Sequence, residues 1–250
     1  YVSGENPFTF PYRIWPKYSM NENSLLLKNE SGVWNYPEKQ LNGSIIAEPI
    51  EILDLVTSNI GDIQFDIYNR LVNFLKKENP SLNDPKKNIG FTKLEAPLQC
   101  LNMSYPHNKI DEDDDLIRDC YGKRGLSRLM LYKPKTKSKF KYKDSTLRDF
   151  GRIFSPLEIG KYSAKIKNIC DYIKKSKGLV FIFSQYIDSG AIPIALALEE
   201  MGFSRNSTNN LFEKPLSKPV DYINMNTITK DSEIKITAKY AMITGDKQLT

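Results

Sequence analysis

The stretch from Gly178 to Gly202 constrains the fold most, because two kinds of apolar pattern follow one another within it. Leu179–Phe183 is a run of five apolar residues, which is too short for a helix and has the composition of a strand buried on both faces. From Ile187 to Met201 the apolar residues recur at steps of three or four, and Gly202 then ends the pattern. The stretch predicts a buried strand, a polar turn and a helix that returns over the sheet.

The polar turn after this strand consists of Ser184, Gln185 and Tyr186. Ligands of α/β proteins bind at the carboxyl ends of parallel strands, which is where this turn is expected to lie. A second strand, predicted at 240–243, leads to a similar turn. Small polar side chains, free N–H groups and a glycine suit contact with a phosphate backbone, but ordinary strand–helix turns have the same composition. The candidate residues of the second turn are Gly245, Asp246 and Lys247.

Basic residues are concentrated in the middle of the chain, where residues 101–177 carry 19 basic and 10 acidic side chains. The net charge of the whole chain is +6, so this segment holds more than the entire excess. Arg118–Arg152 alone has 12 basic residues against 3 acidic ones. Such an excess is typical of a surface that binds a polyanion and equally of a solvated, lysine-rich connector, so composition leaves both interpretations open.

Lysines alternate with other residue types between Lys133 and Lys143, and Tyr132, Phe140 and Tyr142 lie among or beside them. Basic side chains interleaved with aromatic ones suit a surface that meets phosphates and stacks on bases. A two-stranded basic ribbon that only packs against the domain would have the same pattern. The candidate contacts to a nucleic-acid backbone are Lys137, Lys139 and Lys141.

The sequence lacks the common catalytic motifs. It has no Gly-x-x-x-x-Gly-Lys-Ser/Thr loop, no Gly-x-Gly-x-x-Gly, no His-Glu-x-x-His and no Gly-x-Ser-x-Gly. His107 is the sole histidine and is predicted to be structural, while Glu199 and Glu200 are expected on a solvated helix face. No apolar run reaches 18 residues, so no membrane span is predicted. The three cysteines, Cys100, Cys120 and Cys170, are widely spaced in the sequence. This spacing predicts buried, reduced thiols in an intracellular protein.

The remaining patterns divide the chain into three predicted regions: a mixed α+β region at 1–115, a basic connector at 116–154, and an α/β domain at 155–250 with an insertion at about 204–232. The first contains a predicted helix from Asp62, its cap, to about Lys77, with Ile63, Ile67, Leu71 and Phe74 on its apolar face. The third begins with a helix start at Ser155-Pro156, in a pattern that Gly160 and Ser163 are expected to interrupt.

Several of these elements, in this order, resemble those of superfamily 2 helicases, a class that includes the Swi/Snf-like and DEAD/DEAH-like proteins. Ile182-Phe183-Ser184-Gln185-Tyr186 resembles motif IV, which opens the second RecA-like lobe. Tyr162–Lys165 is similar to the Ser-x-Lys helix start before it, and Ile243–Lys247 to the Gly-Asp element on the next strand. Gln64 with Tyr68 resembles a pair in the inter-lobe region.

The resemblance is closest to helicases of nucleocytoplasmic large DNA viruses, a group akin to the ATPase of the poxvirus early transcription factor. It is carried by Gly4–Arg13, Tyr121-Gly122-Lys123 and Gly178–Phe203, and the polar stretch after Ser204 departs from it. A segment that matches an Asn-His-Pro element more loosely, Leu98–Pro106, lacks the histidine. The resemblance implies a P-loop NTPase-type α/β fold with part of a parallel RecA-like sheet.

The same resemblance implies a function for the whole enzyme, namely ATP hydrolysis coupled to movement on DNA or RNA in viral transcription or replication. ATP and Mg²⁺ would be bound mainly by motifs before Tyr1, and the arginine-finger motif would follow Thr250. Ser184, Gln185, Gly245, Asp246 and Lys247 would contact nucleic acid, and none of them would be catalytic.

Further expectations concern partners and place. They are viral RNA polymerase or other transcription proteins as partners, no membrane, and a location in the host cytoplasm, at the viral factory, or in the virion. The alternative is a non-catalytic nucleic-acid-binding or virion structural protein that keeps a helicase-derived fold.

Overall fold

Helices are the main regular structure of the described chain, and two small two-stranded sheets are set among them. The computed structural model describes residues 56–80, 91–133, 139–206, 209–230, 232, 236–245 and 249, without the side chains of residues 91, 133 and 139. Residues from Ser58 onward belong to one compact unit. The elements are α1 (Asp62–Glu78), α2 (Phe91–Asn102), a 3₁₀ helix (Asp114–Cys120), α3 (Gly122–Leu129), β1 (Met130–Lys133), β2 (Lys139–Tyr142), α4 (Asp144–Phe150), α5 (Ile159–Tyr162), α6 (Ala164–Lys175), a π-helical turn (Ile187–Ala191), α7 (Ile192–Glu200), β3 (Ser204–Arg205) and β4 (Lys239–Tyr240).

The architecture is therefore a mixture of helices and small sheets, roughly α/β, with one small parallel sheet. Strands β1 and β2 pair in antiparallel fashion, and β3 pairs with β4 in parallel. Two apolar clusters hold the described residues together. The larger one extends from Met103 to Leu249, and the smaller one packs the buried face of α1 against Cys100, Ile117 and Cys120. The RecA-like lobe and the three predicted regions remain predictions.

Helix α1 confirms the predicted helix, which ends one residue beyond the predicted end. The predicted cap is wrong, because Gly61 occupies the cap position. Asp62 lies in the first turn, where its carboxylate interacts favourably with the helix dipole. The buried face also differs from the prediction in one place. Gln64 is fully buried, whereas Ile63 is 42% exposed. Helical periodicity alone assigned the apolar neighbour to the buried face.

Gln64 is buried because its amide forms hydrogen bonds with backbone groups at the ends of two other helices. Its Nε2 donates to the backbone carbonyls of Cys100 (3.3 Å) and Leu101 (3.2 Å) in the last turn of α2. Its Oε1 accepts from the backbone N–H of Ala164, the first residue of α6, at 3.1 Å. Helix ends leave such backbone groups without intrahelical partners, so one polar side chain on α1 fixes the position of both ends.

The helix predicted from Ser155 begins later, at Ile159, because residues 156–158 form turns. It is interrupted at Ser163, as expected. Ser163 is extended, with φ −155°, and its Oγ accepts from the backbone N–H of Ile166 at 3.0 Å, so it caps α6. The same hydroxyl donates to the carbonyl of Asn102 at 2.6 Å, which ties the start of α6 to the end of α2.

The predicted buried strand at Leu179–Phe183 is wrong. The segment has no strand partner among the described residues, and Leu179, Phe181 and Phe183 are 102%, 86% and 82% exposed. Exposed and half-buried residues alternate from Phe181 to Tyr186, which is the period of an extended segment covered on one face only. Ile182 is the residue that packs on the core. An apolar run shows that a segment can be buried, but other segments must supply the cover.

The helix that follows this segment confirms the prediction. A π-helical turn leads into α7, Pro193 lies in the first turn, and Gly202 ends the helix with φ +98°. Gly202 also has a steric reason to be glycine, because a Cβ there would lie 2.3 Å from the carbonyl oxygen of Lys218. Every residue of α7 is buried, which leaves no solvated face on this helix.

The expected solvation of Glu199 and Glu200 is therefore wrong, since they are only 5% and 2% exposed. Glu199 accepts from the backbone N–H groups of Leu211 (2.5 Å) and Phe212 (2.8 Å) and from the Tyr240 hydroxyl (2.6 Å). Desolvation still raises the pKa of Glu199. Glu200 accepts from the hydroxyl of Tyr142 at 2.9 Å and pairs with Arg152. Their donors come from distant segments, so helical periodicity gave no sign of them.

The second predicted strand is shorter than expected. Of residues 240–243 only Tyr240 lies in a strand, and β4 pairs with Ser204–Arg205. The described part of the predicted insertion at 204–232 has little regular structure, but Leu211, Phe212 and Val220 are buried in the larger apolar cluster. It is thus packed on the domain.

Candidate functional site

A cavity of about 260 Å³ lies beside the turn at Ser184 and Gln185, and we call it the Lys165 cavity. Three parts of the chain form its wall: the end of α2, the first turns of α6, and the segment that leads from the turn into α7. Its lining residues are Leu98, Asn102, Lys165, Ile166, Ile169, Phe183, Ser184, Gln185, Tyr186, Ser189, Gly190 and Ile194. Gln64 and Ser163 hold two of these three parts together, as described above.

Ser184 shapes the turn, and its hydroxyl is already engaged. Its Oγ donates to the carbonyl of Tyr186 at 2.9 Å and accepts from the N–H of the same residue at 3.3 Å. Gly190 packs directly against it, since a Cβ at position 190 would lie 2.0 Å from the Ser184 Oγ. The turn and the π-helical segment therefore approach closely only because residue 190 is a glycine. Ser184 fixes the geometry of the wall more than it offers a free donor.

Gln185 and Tyr186 carry polar side-chain groups that have no partner among the described residues. The side chain of Gln185 is exposed and makes no hydrogen bond to any described residue. The hydroxyl of Tyr186 is buried and has no hydrogen-bond partner within the described ranges. An amide and a phenol hydroxyl are donors that suit phosphate or base oxygens. Gln185, rather than Ser184 or the buried Tyr186 hydroxyl, is the accessible side-chain donor of the turn.

Lys165 supplies the positive charge of the cavity. Its Nζ donates to Oδ1 of Asn102 at 2.6 Å, so the two side chains form a polar pair on opposite parts of the wall. The side chain is exposed, yet partial desolvation by the wall lowers the pKa of Lys165 from its ordinary value of 10.5. The sequence pattern indicates Lys165 as part of a helix start and does not by itself indicate a site residue. The Ser-x-Lys pattern was the signal that could have identified it.

Of the second predicted turn only Gly245 is described, and this residue does not line the cavity. Gly245 is exposed, lies outside the cavity wall and has no atom within 4 Å of the position of a Cβ. Asp246 and Lys247 lie outside the described residues. Of the five carried-over positions, the structure therefore brings together Ser184 and Gln185, and it adds Lys165, Asn102 and Tyr186 to them.

The basic segment forms the two-stranded ribbon that the sequence analysis left as an alternative. Met130, Phe140 and Tyr142 of the ribbon are buried, and Tyr132 stacks on Phe140 with 4.7 Å between ring centroids. Phe140 and Tyr142 are thus core residues, and the interpretation that they stack on bases is wrong. Lys141 is exposed opposite Leu131, Lys137 lies outside the described residues, and only the backbone of Lys139 is described.

His107 and the cysteines have structural surroundings. Nδ1 of His107 accepts from the backbone N–H of Lys109 at 3.1 Å, and burial lowers the pKa of this imidazole. All three cysteines are free and buried, and burial raises the pKa of the Cys100, Cys120 and Cys170 thiols to about 11, 12 and 11. Such thiols are neutral at physiological pH.

Within the described parts of the chain, no group of three or more His, Cys, Asp or Glu side chains could hold a metal ion. The helices of the same parts are too short or too polar to cross a membrane. Comparisons of the chain with protein-family models, with curated proteins and with solved structures find no match.

Proposed function

We propose that this chain binds a strand of DNA or RNA at the Lys165 cavity, as the nucleic-acid-contacting part of an ATP-dependent superfamily 2 helicase or translocase of a large DNA virus. One observation carries the proposal. The elements that resemble the Ser-x-Lys helix start and motif IV are separate in the sequence, yet Lys165 from the first and Gln185 from the second line one cavity. A shared binding role explains why both would be present.

The chemistry of the wall supports a phosphate-backbone contact. The Nζ of Lys165 offers a cation, and the exposed amide of Gln185 offers a neutral donor. Asn102 holds Lys165 in place before binding. Leu98, Ile169 and Phe183 provide an apolar surface for a sugar or base beside these groups. The mixture of one cation with a neutral donor favours contact without sequence readout.

No step of ATP hydrolysis is assigned to this chain. The sequence has no Gly-Lys-Thr/Ser phosphate loop, and the described residues form no cluster for Mg²⁺. ATP and Mg²⁺ belong, in the proposed enzyme, to motifs that this sequence does not contain. We expect the chain alone to hydrolyse no ATP, and measurable turnover by the purified chain would contradict this assignment.

The chemistry of the Lys165 cavity also fits a second candidate, a non-catalytic nucleic-acid-binding or virion structural protein, because such a protein needs the contact and no ATP hydrolysis. The two candidates differ in the coding sequence on either side of this chain. A Gly-Lys-Thr/Ser loop encoded before Tyr1 and an arginine-rich motif encoded after Thr250 support the enzyme. If neither is encoded, the helicase proposal fails and the binding protein remains.

The binding proposal is tested by fluorescence anisotropy of labelled single-stranded oligonucleotides, DNA and RNA, over a range of salt concentrations. Lys165→Met keeps the aliphatic stem but removes the charge, so we expect weaker binding and a slope of log K against log salt that is shallower by about 0.7, the value for one lost phosphate contact. Lys174→Met removes the same charge from the exposed last turn of α6 and serves as the matched control. Equal binding by both variants would overturn the assignment of the cavity.

A further inference from the structure

A second cavity, of about 240 Å³, lies at the beginning of α3, and we call it the Lys123 cavity. Its wall contains three basic residues and no acidic one: it is formed by Gln99, Arg118, Tyr121, Gly122, Lys123 and Arg124. Gly122 has φ +58°, and a Cβ there would lie 2.7 Å from Oε1 of Gln99. The positive φ favours glycine at this position, and the end of the Gln99 side chain packs against it where α2 and α3 meet.

The three cations of the Lys123 cavity are not equivalent. Arg118 is committed to the protein, because its guanidinium pairs with Glu78 at 2.5 Å and lies 5.0 Å from the centroid of the Phe74 ring. Lys123 and Arg124 are exposed and form no ion pair with any residue in the described ranges. Two uncompensated cations in a concave surface without carboxylates attract an oxyanion.

The Lys123 cavity shares a hydrogen-bonded wall with the Lys165 cavity. Oγ of Ser189 accepts from the backbone N–H of Gly122 at 2.9 Å and donates to Oε1 of Gln99 at 3.2 Å. Ser189 lines the Lys165 cavity, whereas Gln99 and Gly122 line the Lys123 cavity. The two cavities are therefore neighbours, and the three residues between them are linked by hydrogen bonds through Ser189.

We propose that the Lys123 cavity binds a phosphodiester group of the same nucleic-acid strand that the Lys165 cavity contacts, with Lys123 and Arg124 as its cationic ligands. This inference rests on the proposed function and extends it from one contact to a track of two. A strand carries regularly spaced negative charges, so neighbouring cationic cavities bind neighbouring parts of it. The arginine side chain also offers two parallel N–H donors to one phosphate.

The test compares three forms of the chain in the same anisotropy assay with single-stranded oligonucleotides. They are the wild type, Lys123→Ala/Arg124→Ala, and the matched control Lys174→Ala/Lys175→Ala, which removes two charges from the exposed last turn of α6. We expect the first variant to weaken binding at low salt by about tenfold or more, and to make the slope of log K against log salt shallower by about 1.4, the value for two lost contacts to a single strand. Both variants change exposed side chains, and far-UV circular dichroism verifies their fold.

Charge-retaining Lys123→Arg/Arg124→Lys is expected to keep most of the affinity. Equal slopes for Lys123→Ala/Arg124→Ala and the control would overturn the second cavity while leaving the Lys165→Met result, and with it the proposed function, intact. If Lys165→Met loses binding and Lys123→Ala/Arg124→Ala does not, the second cavity is likewise overturned and the proposed function stands. A wild type that binds no oligonucleotide refutes both proposals. Competition by ATP that the double variant abolishes would assign the cavity to nucleotide phosphates and overturn the phosphodiester assignment.

Discussion

Replacing Gln64 by alanine tests the central packing argument, because the side chain is polar and yet joins three helices. The change removes three hydrogen bonds: two to the last carbonyls of α2 and one from the first N–H of α6. The matched control is Ile63→Ala, one position earlier on the same helix. A pattern of apolar residues assigns the buried position to Ile63, and the structure assigns it to Gln64.

The expected magnitudes separate these two assignments. The carbonyl of Cys100 keeps its hydrogen bond from the Ser104 hydroxyl at 3.0 Å, so Gln64→Ala leaves two backbone groups without a partner. Each such buried group costs about 1–3 kcal/mol, and water that enters the vacated space recovers part of this, so we expect a loss of about 3 kcal/mol. Ile63 is 42% exposed, and alanine also improves helix propensity by about 0.4 kcal/mol, so Ile63→Ala should cost less than about 1 kcal/mol.

The assay is chemical denaturation of the chain followed by far-UV circular dichroism, since both tryptophans, Trp15 and Trp34, lie outside the described residues. The free energies of unfolding are compared at equal m-values. A third variant, Gln64→Glu, gives a pH test. A buried carboxylate facing two carbonyl oxygens has a raised pKa. The free energy of unfolding of this variant is therefore retained below that pKa and falls as the pH rises through it. If Ile63→Ala destabilises more than Gln64→Ala, the packing argument is refuted.

Three further predictions concern other parts of the fold. Desolvation raises the pKa of Glu199, so its contribution to the free energy of unfolding falls as pH rises through that pKa; in a series of denaturations, Glu199→Gln should abolish this part of the pH dependence, and an unchanged profile would count against it. Gly202→Ala places a Cβ 2.3 Å from a backbone oxygen at positive φ and should cost more than about 2 kcal/mol by denaturation, whereas Gly245→Ala, with open space around it, should cost almost nothing; equal costs would contradict the steric argument. Iodoacetamide should not label the native chain at pH 8 on the timescale of a free thiol, and mass spectrometry should find modification after denaturation of Cys100, Cys120 and Cys170.

The sequence was sufficient for elements whose signals are local. The extent of α1, the interruption at Ser163 and the glycine end of α7 follow from periodicity, capping and φ > 0, which a few neighbouring residues determine. The change from apolar to polar residues at Ser184 and Gln185 is also visible in the sequence, and both residues line the Lys165 cavity, although the strand predicted before them is not formed.

The elements that were mispredicted depend on distant partners. Glu199 is buried because Tyr240 and two backbone N–H groups reach it, and no pattern within α7 indicates this. Phe140 and Tyr142 are interleaved with lysines but enter the core, because a two-stranded ribbon turns alternate residues to opposite sides. The Lys123 cavity was also missed, since it requires the approach of α2 and α3 at Gly122.

The uncovered segment at Leu179–Phe183 has a practical consequence for every solution experiment on this chain. Leu179, Phe181 and Phe183 lie largely in water, as does Ile243, which is 87% exposed, and the backbone of the segment has no strand partner in the described ranges. Extended apolar segments of this kind are templates on which chains assemble edge to edge. Self-association should therefore increase with protein concentration and with salt, because salt screens the positive net charge that keeps molecules apart. Sedimentation at each salt concentration would establish the window in which a titration reports on a monomer.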